Sequence, residues 1–324
     1  MRCPRAALAL SLMLLTTAAL AQSKPPASPP LPPPAPKAPA ADPNADLAFG
    51  AYQRGFFITA FNEASKRAQQ NDAAAMTLLG ELYANGLGVG RDDIKAAQWY
   101  KMAAAQNNRD ALFALAMFAF EGRAGTNNPT EGARLLGEAA KLGHPAANYN
   151  LGLLYLQGQQ FAQDFGRAAE LFKVAANAGN SEAQYALGTM YKEGRGVPKD
   201  AKQAALLMAR ASIAGNVDAM VEFAIMQFNG EGTEKSEPAA AETFLRAARR
   251  GSPIAQNRLA RILMAGRGLP ADPVEAIKWH MIAKAAGAGD PELDVFMAKQ
   301  TPQVREAADK AVKKWMSTVA AVAP

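Results

Sequence analysis

The residue types that most often carry chemistry are scarce in this 324-residue chain, which holds two histidines and one cysteine. His144 falls in a turn between helical stretches and His280 falls inside one. Neither has partners at metal-ligand spacing, whereas a zinc site calls for three or four clustered ligands. Both are expected to be half-buried or solvated rings. Cys3 lies in a charged amino-terminal leader, so the chain without that leader has neither disulfides nor thiolate chemistry. Gly86-Leu87-Gly88-Val89-Gly90 invites comparison with a nucleotide-binding glycine loop, but no strand signal precedes it. Asp92 and Asp93 stand at the start of a helical stretch, where negative charge complements the helix dipole without acid-base work. No serine, histidine and acid arrangement is readable. The sequence therefore predicts a protein that is not an enzyme, with no catalytic, metal or cofactor-binding residues and no cofactor.

The elements that hold these residues explain them better. Gly86, Gly122, Gly158, Gly194, Gly230 and Gly266 follow one another at steps of 36 without insertion or deletion. Ala103, Ala139, Ala175, Ala211, Ala247 and Ala283 keep the same step, and so do Gly143, Gly179, Gly215, Gly251 and Gly287. Six units are in register, and the glycine loop above is one copy of their turn. Within a unit, Tyr185, Gly188, Met190 and Tyr191 follow helical spacing until Gly194-Arg195-Gly196-Val197-Pro198 interrupts it. A second helix then runs from about Asp200 to Gly215, a glycine placed where a helix end takes left-handed backbone. Each such hairpin exposes an apolar face that only the next hairpin covers, so the chain is expected to be all-α, a solenoid of stacked hairpins. The column Gly80, Ala116, Gly152, Gly188, Ala224 and Ala260 admits only glycine or alanine, which predicts a close approach by another helix. A second close crossing is expected at Ala75, Ala111, Ala147, Ala183, Ala219 and Ala255.

Residues 1–21 have the parts of a secretory signal: Arg2 and Arg5, an apolar run from Ala6 to Leu20, and small residues at Ala19 and Ala21. The run is shorter than the roughly 20 residues that span a bilayer, so cleavage after Ala21 is favoured over an uncleaved inner-membrane anchor. That places the mature chain in the bacterial periplasm, or outside the cell, with no membrane span. Residues 22–44 are mostly proline, alanine and serine, a composition that buries no core and forms a disordered linker. Residues 45–72 read as an amino-terminal capping pair of helices, 73–289 as the six repeats and 290–324 as carboxyl-terminal caps. In the last of these, Thr301 and Pro302 suit the start of the final helix, and Trp315 is placed to cover the exposed end. The net charge of +6 loses two units with the leader and leaves no nucleic-acid footprint.

The stretch from Ala183-Gln184-Tyr185-Ala186-Leu187-Gly188 through Tyr191, Gly194-Arg195-Gly196-Val197 and Asp200 closely resembles the Sel-one-like repeat, a relative of the tetratricopeptide repeat. The step of 36 fits this longer relative better than the tetratricopeptide period of 34. The resemblance weakens at Gly122-Arg123-Ala124-Gly125 in the second unit and Gly230-Glu231-Gly232-Thr233 in the fifth, whose loops are expected to differ in shape. It implies a right-handed superhelix and an adaptor role in signalling, quality control or, for exported bacterial members, envelope and cell-surface processes.

The candidate binding surface is one face of the first helix in successive units, at spacing i, i+4 and i+7. It reads Phe113, Met117 and Phe120, then Tyr149, Leu153 and Leu156, then Tyr185, Thr189 and Lys192. An aromatic stripe repeated in adjacent units suits a groove for a helix or extended peptide of a protein partner in the cell envelope. The same spacing also describes residues packed between neighbouring helices. A second class of function, glycan binding or processing, would use Tyr149 and Tyr185 as stacking platforms. Hydrolysis ordinarily needs two opposed carboxylates, and the stripe itself supplies none.

Overall fold

The computed structural model describes residues 46–322, apart from Thr126. The predicted leader and linker lie outside the described residues. What is described is helix throughout, with no strand among the described residues. An opening pair, α1 (Leu47–Gln53) and α2 (Phe57–Ala68), precedes six hairpins. These are α3 (Ala73–Asn85) with α4 (Asp93–Ala104), α5 (Arg109–Glu121) with α6 (Pro129–Lys141), and α7 (Pro145–Gln157) with α8 (Phe165–Asn177). The array continues with α9 (Ser181–Glu193) and α10 (Ala201–Ile213), α11 (Val217–Asn229) and α12 (Glu237–Arg249), and α13 (Pro253–Ala265) and α14 (Pro273–Ala285). The closing pair is α15 (Pro291–Ala298) and α16 (Pro302–Val322).

The first helix of each unit, here the A helix, is 13 residues long and has defined stops. Asp72, Asn108, His144, Asn180, Asn216 and Ser252 each accept a first-turn backbone N–H through the side chain. Such caps contribute about 1 kcal/mol apiece. The glycine column beginning at Gly86 ends all six A helices with φ between 67° and 76°. Helix lengths and ends are thus set locally, which fixes the register before any unit meets its neighbour.

The small-residue column lies against the second, or B, helix of the same unit. A β-carbon on Gly80 would stand 2.5 Å from Cε1 of Tyr100, and one on Gly152 would stand 2.6 Å from Cε1 of Phe172. The opposing positions Tyr100, Leu136, Phe172, Met208, Phe244 and His280 are all buried, so each unit pairs a small residue on A with a large one on B. Close packing of this kind leaves little room for added volume. The alanine column from Ala75 to Ala255 is likewise buried. At the carboxyl-terminal end Trp315 packs edge-on against the buried Trp279, with ring centroids 5.1 Å apart, so it covers the last repeat. The hydroxyl of Thr301 accepts the N–H of Val304 at the start of α16, as its N-cap position predicts.

The loops join units to one another. A β-carbon on Gly196 would stand 2.3 Å from the carbonyl oxygen of Phe165, at the start of the preceding unit's B helix, and φ there is +71°. Gly232 and Gly268 make the same approach to Ala201 and Glu237. The fifth-unit loop therefore keeps the common shape, contrary to the sequence expectation, because Gly230 and Gly232 both retain left-handed backbone. In the second unit Gly122 and Ala124 also keep left-handed backbone, with Ala124 at φ +57°, and the departure is in the third. There Gln160 replaces the second glycine and does not take positive φ.

Candidate partner-binding groove

The nine stripe residues all lie on A helices and all are half-buried, neither core nor free surface. A cleft of about 430 Å³ gathers five of them: Tyr149, Leu153 and Leu156 from α7 with Tyr185 and Thr189 from α9. Phe113, Met117 and Phe120 lie outside that cleft and pack on the core of the first three units, and the cleft residues Tyr149, Leu153, Leu156 and Tyr185 also rest on core with one side. Phe113 is also covered by His144, whose ring stacks on it at 4.4 Å. Lys192 is not a free cation of the groove, because its Nζ lies 2.6 Å from Glu222 on α11. The hydroxyl of Thr189 donates to the carbonyl of Tyr185, its own previous turn. The working part of the stripe is therefore the third and fourth units.

Carboxylates outside the stripe also reach the cleft. Glu182 and Glu193 on α9 and Asp218 on α11 line the same cleft. Burial pushes the Tyr149 hydroxyl above its ordinary pKa, and the charge of Glu182 adds to this. Burial does the same at Tyr185, reinforced by Asp218 and Glu222. Glu193 is paired with Arg195 at 3.4 Å, and Arg195 lies over the Phe165 ring. Among the described residues, Glu182 and Asp218 enter no ion pair. The legible signal was the second helical position of each unit, which carries acid at Asp110, Glu182 and Asp218.

The histidines have structural surroundings. His144 caps α7, its Nδ1 accepting the N–H of Ala147 at 3.1 Å. His280 is fully buried, contrary to the expectation of a half-buried or solvated ring, because it fills the large B-helix position of the sixth unit. Its Nε2 lies 2.8 Å from Asp294, which also accepts from Lys284. Asp92 caps α4 as expected, whereas Asp93 is held well below the usual carboxylate range by hydrogen bonds from Arg123 and Arg91. Among the described residues no three of histidine, cysteine, aspartate and glutamate gather to hold a metal ion. No helix among them is long and apolar enough to cross a membrane.

Helical hairpins stacked at a fixed 36-residue step, with small-against-large packing inside each, define a tetratricopeptide-like α-solenoid. The profile of the Sel1 repeat matches residues 73–108, 109–144, 145–180, 181–216, 217–252 and 253–287, and the chain belongs to that family. Sel1 repeat proteins are generally protein-interaction scaffolds, and the fold is typically non-enzymatic. Among solved structures, a Sel1 repeat protein from Oxalobacter formigenes is 26% identical, with a TM-score of 0.63, over 74% of this chain and 97% of that one. The chain is also similar to c5321, a protective antigen of uropathogenic Escherichia coli strains with the same repeat fold. That match has 25% identity and a TM-score of 0.55, and covers 84% of this chain and 67% of the other. Comparison with curated proteins gave no match.

Proposed function

We propose that this chain is a non-enzymatic adaptor of the bacterial cell envelope that regulates a signalling or cell-surface process by holding a partner protein in its A-helix groove. The observation that carries the reading is the cleft shared by Tyr149 and Tyr185, two half-buried aromatics at equivalent positions of adjacent units. Aromatic side chains of this kind anchor interfaces because they bury large area at low entropic cost. The leader-like residues 1–21 support a periplasmic location. The test is affinity capture from the envelope fraction with the wild-type chain and with Tyr149→Ala/Tyr185→Ala. The expected result is one set of partners retained by the first and lost by the second, while the circular dichroism spectrum stays helical. Equal capture by both removes this groove as the binding surface, and a full-length form resident in the inner membrane removes the periplasmic assignment.

A glycan-binding role ranks second. It is favoured by two tyrosines and three carboxylates in one cleft. A specific glycan-array signal that disappears in Tyr185→Ala would reverse the order.

A further inference from the structure

We propose, on the reading that the groove of the third and fourth units is the binding surface, that its occupant is an extended basic segment of a partner protein. Lysine or arginine side chains of that segment would enter two repeated pockets, one made by Tyr149 with Glu182 and the other by Tyr185 with Asp218. Each pocket joins a tyrosine of one A helix to an acid at the start of the next. No other pair of adjacent units has this combination: the equivalents of Tyr149 and Glu182 elsewhere are Thr77 with Asp110, Phe113 with Ala146 and Val221 with Ile254.

The charges nearby leave these two carboxylates uncompensated. Glu222 is spent on Lys192 at 2.6 Å, and Glu193 faces Arg195 at 3.4 Å. Glu182 and Asp218 thus give the cleft a local excess of negative charge on a chain whose formal net charge is +6. The Tyr149 hydroxyl makes no hydrogen bond among the described residues and is open to an incoming donor, while the Tyr185 hydroxyl has the side chain of Thr189 beside it. An aromatic face beside a carboxylate is the surrounding that a lysine or arginine side chain finds most favourable, since the ring takes the alkyl stem and the cation while the acid neutralises it. The two pockets recur one unit apart along a single cleft, which suits a chain lying along it rather than a compact ligand. The cleft over the fifth and sixth units is of similar size, about 440 Å³, but there Arg258 carries the unpaired charge, since Arg261 pairs with Asp290 and Glu292 and Arg267 with Glu237. Electrostatic complementarity therefore favours a basic segment in this cleft over the one at the fifth and sixth units.

Fluorescence anisotropy with the full chain tests this. The probes are a fluorescein-labelled peptide of alternating lysine and leucine, its glutamate-for-lysine counterpart and its serine-for-lysine counterpart. The lysine peptide is expected to bind and the glutamate peptide not to bind. Glu182→Gln/Asp218→Asn should weaken the lysine peptide at least tenfold at low salt with helicity retained and only a small drop in melting temperature from the lost first-turn charges, and the difference in affinity should shrink as salt screens exposed charge. Equal affinity for the lysine and glutamate peptides, no binding of the lysine peptide, or unchanged affinity in the carboxylate variant would each overturn the proposal. If the serine peptide binds and is lost in Tyr149→Ala/Tyr185→Ala, the groove stands and only the charge assignment falls. If no probe depends on the tyrosines, both fall.

Discussion

The imidazole of His144 lies flat on the phenyl ring of Phe113, with centroids 4.4 Å apart and planes 18° from parallel. The same imidazole caps α7 through Nδ1, which must be unprotonated to accept the N–H of Ala147. Burial lowers the His144 pKa below its ordinary value of 6.5; Arg109 acts in the same direction and Asp110 opposes it. In the unfolded chain the ring takes its proton near pH 6.5, and in the fold only at lower pH. Its stabilisation is therefore fully present above pH 6.5 and is lost as the pH falls through the folded pKa. Wild-type melting temperature should drop across that window. His144→Asn, which keeps a good cap, should remove that part of the dependence. Identical pH profiles for the two proteins would rule out this role.

The small-residue column separates two glycines that look alike in the sequence. At Gly152 an added methyl meets the ring of Phe172, which is fully buried, whereas at Gly188 it meets the flexible end of Met208 at 3.1 Å. Gly152→Ala should destabilise by about 1 to 3 kcal/mol, as overpacking does. Gly188→Ala should be close to neutral, because a helical alanine gains roughly 0.5 to 1 kcal/mol over glycine and Met208 can yield. Gly188→Leu exceeds that tolerance and should disrupt the unit. Urea unfolding of the three variants checks the order, and equal losses for both alanine variants would contradict it.

The repeat step made most of this fold legible. Every A helix ends at the glycine that the column marks, and Trp315 packs on Trp279 at the carboxyl-terminal end. What the columns conceal is how side chains meet across units, since alignment equates positions without showing which face touches which. Lys192 reads as a groove residue by spacing, yet its charge goes to Glu222, 30 residues on. Opposite charges recur at that separation in Arg123 with Asp93 and Arg267 with Glu237, so the spacing was a usable signal. The acids of the groove were hidden for the same reason: Glu182 and Asp218 belong to the A helix of the unit after the tyrosine they accompany.

Loop glycines differ by what surrounds them. Gly179 has φ +89° with open space around its missing side chain, while Gly196 has φ +71° and faces the carbonyl of Phe165. Gly179→Ala should cost only backbone strain, about 1 kcal/mol. Gly196→Ala adds a clash with main chain that belongs to the preceding hairpin, so it should cost more and loosen the junction between the third and fourth units. Hydrogen exchange measures this directly. Faster exchange confined to α7 through α10 in Gly196→Ala is the expected pattern, and a uniform change along the array would show that the loop does not couple neighbouring units.

The last prediction concerns the stability of the groove tyrosines. Tyr149 rests on Phe172 with centroids 5.7 Å apart, but its ring is half-buried, whereas Phe172 beneath it is fully buried. Truncating a fully buried phenylalanine costs about 3 to 5 kcal/mol through lost transfer energy and a cavity. A half-buried ring at the wall of an open cleft loses less apolar contact and leaves no closed cavity, so roughly 1 to 2 kcal/mol is expected for each tyrosine. Tyr149→Ala and Tyr185→Ala should therefore each unfold at a higher urea concentration than Phe172→Ala and keep native helicity. The half-exposed surface that spares the fold is the surface available to a partner. If either tyrosine variant were as unstable as Phe172→Ala, its side chain would be part of the inter-unit core, and the groove would lose that anchor.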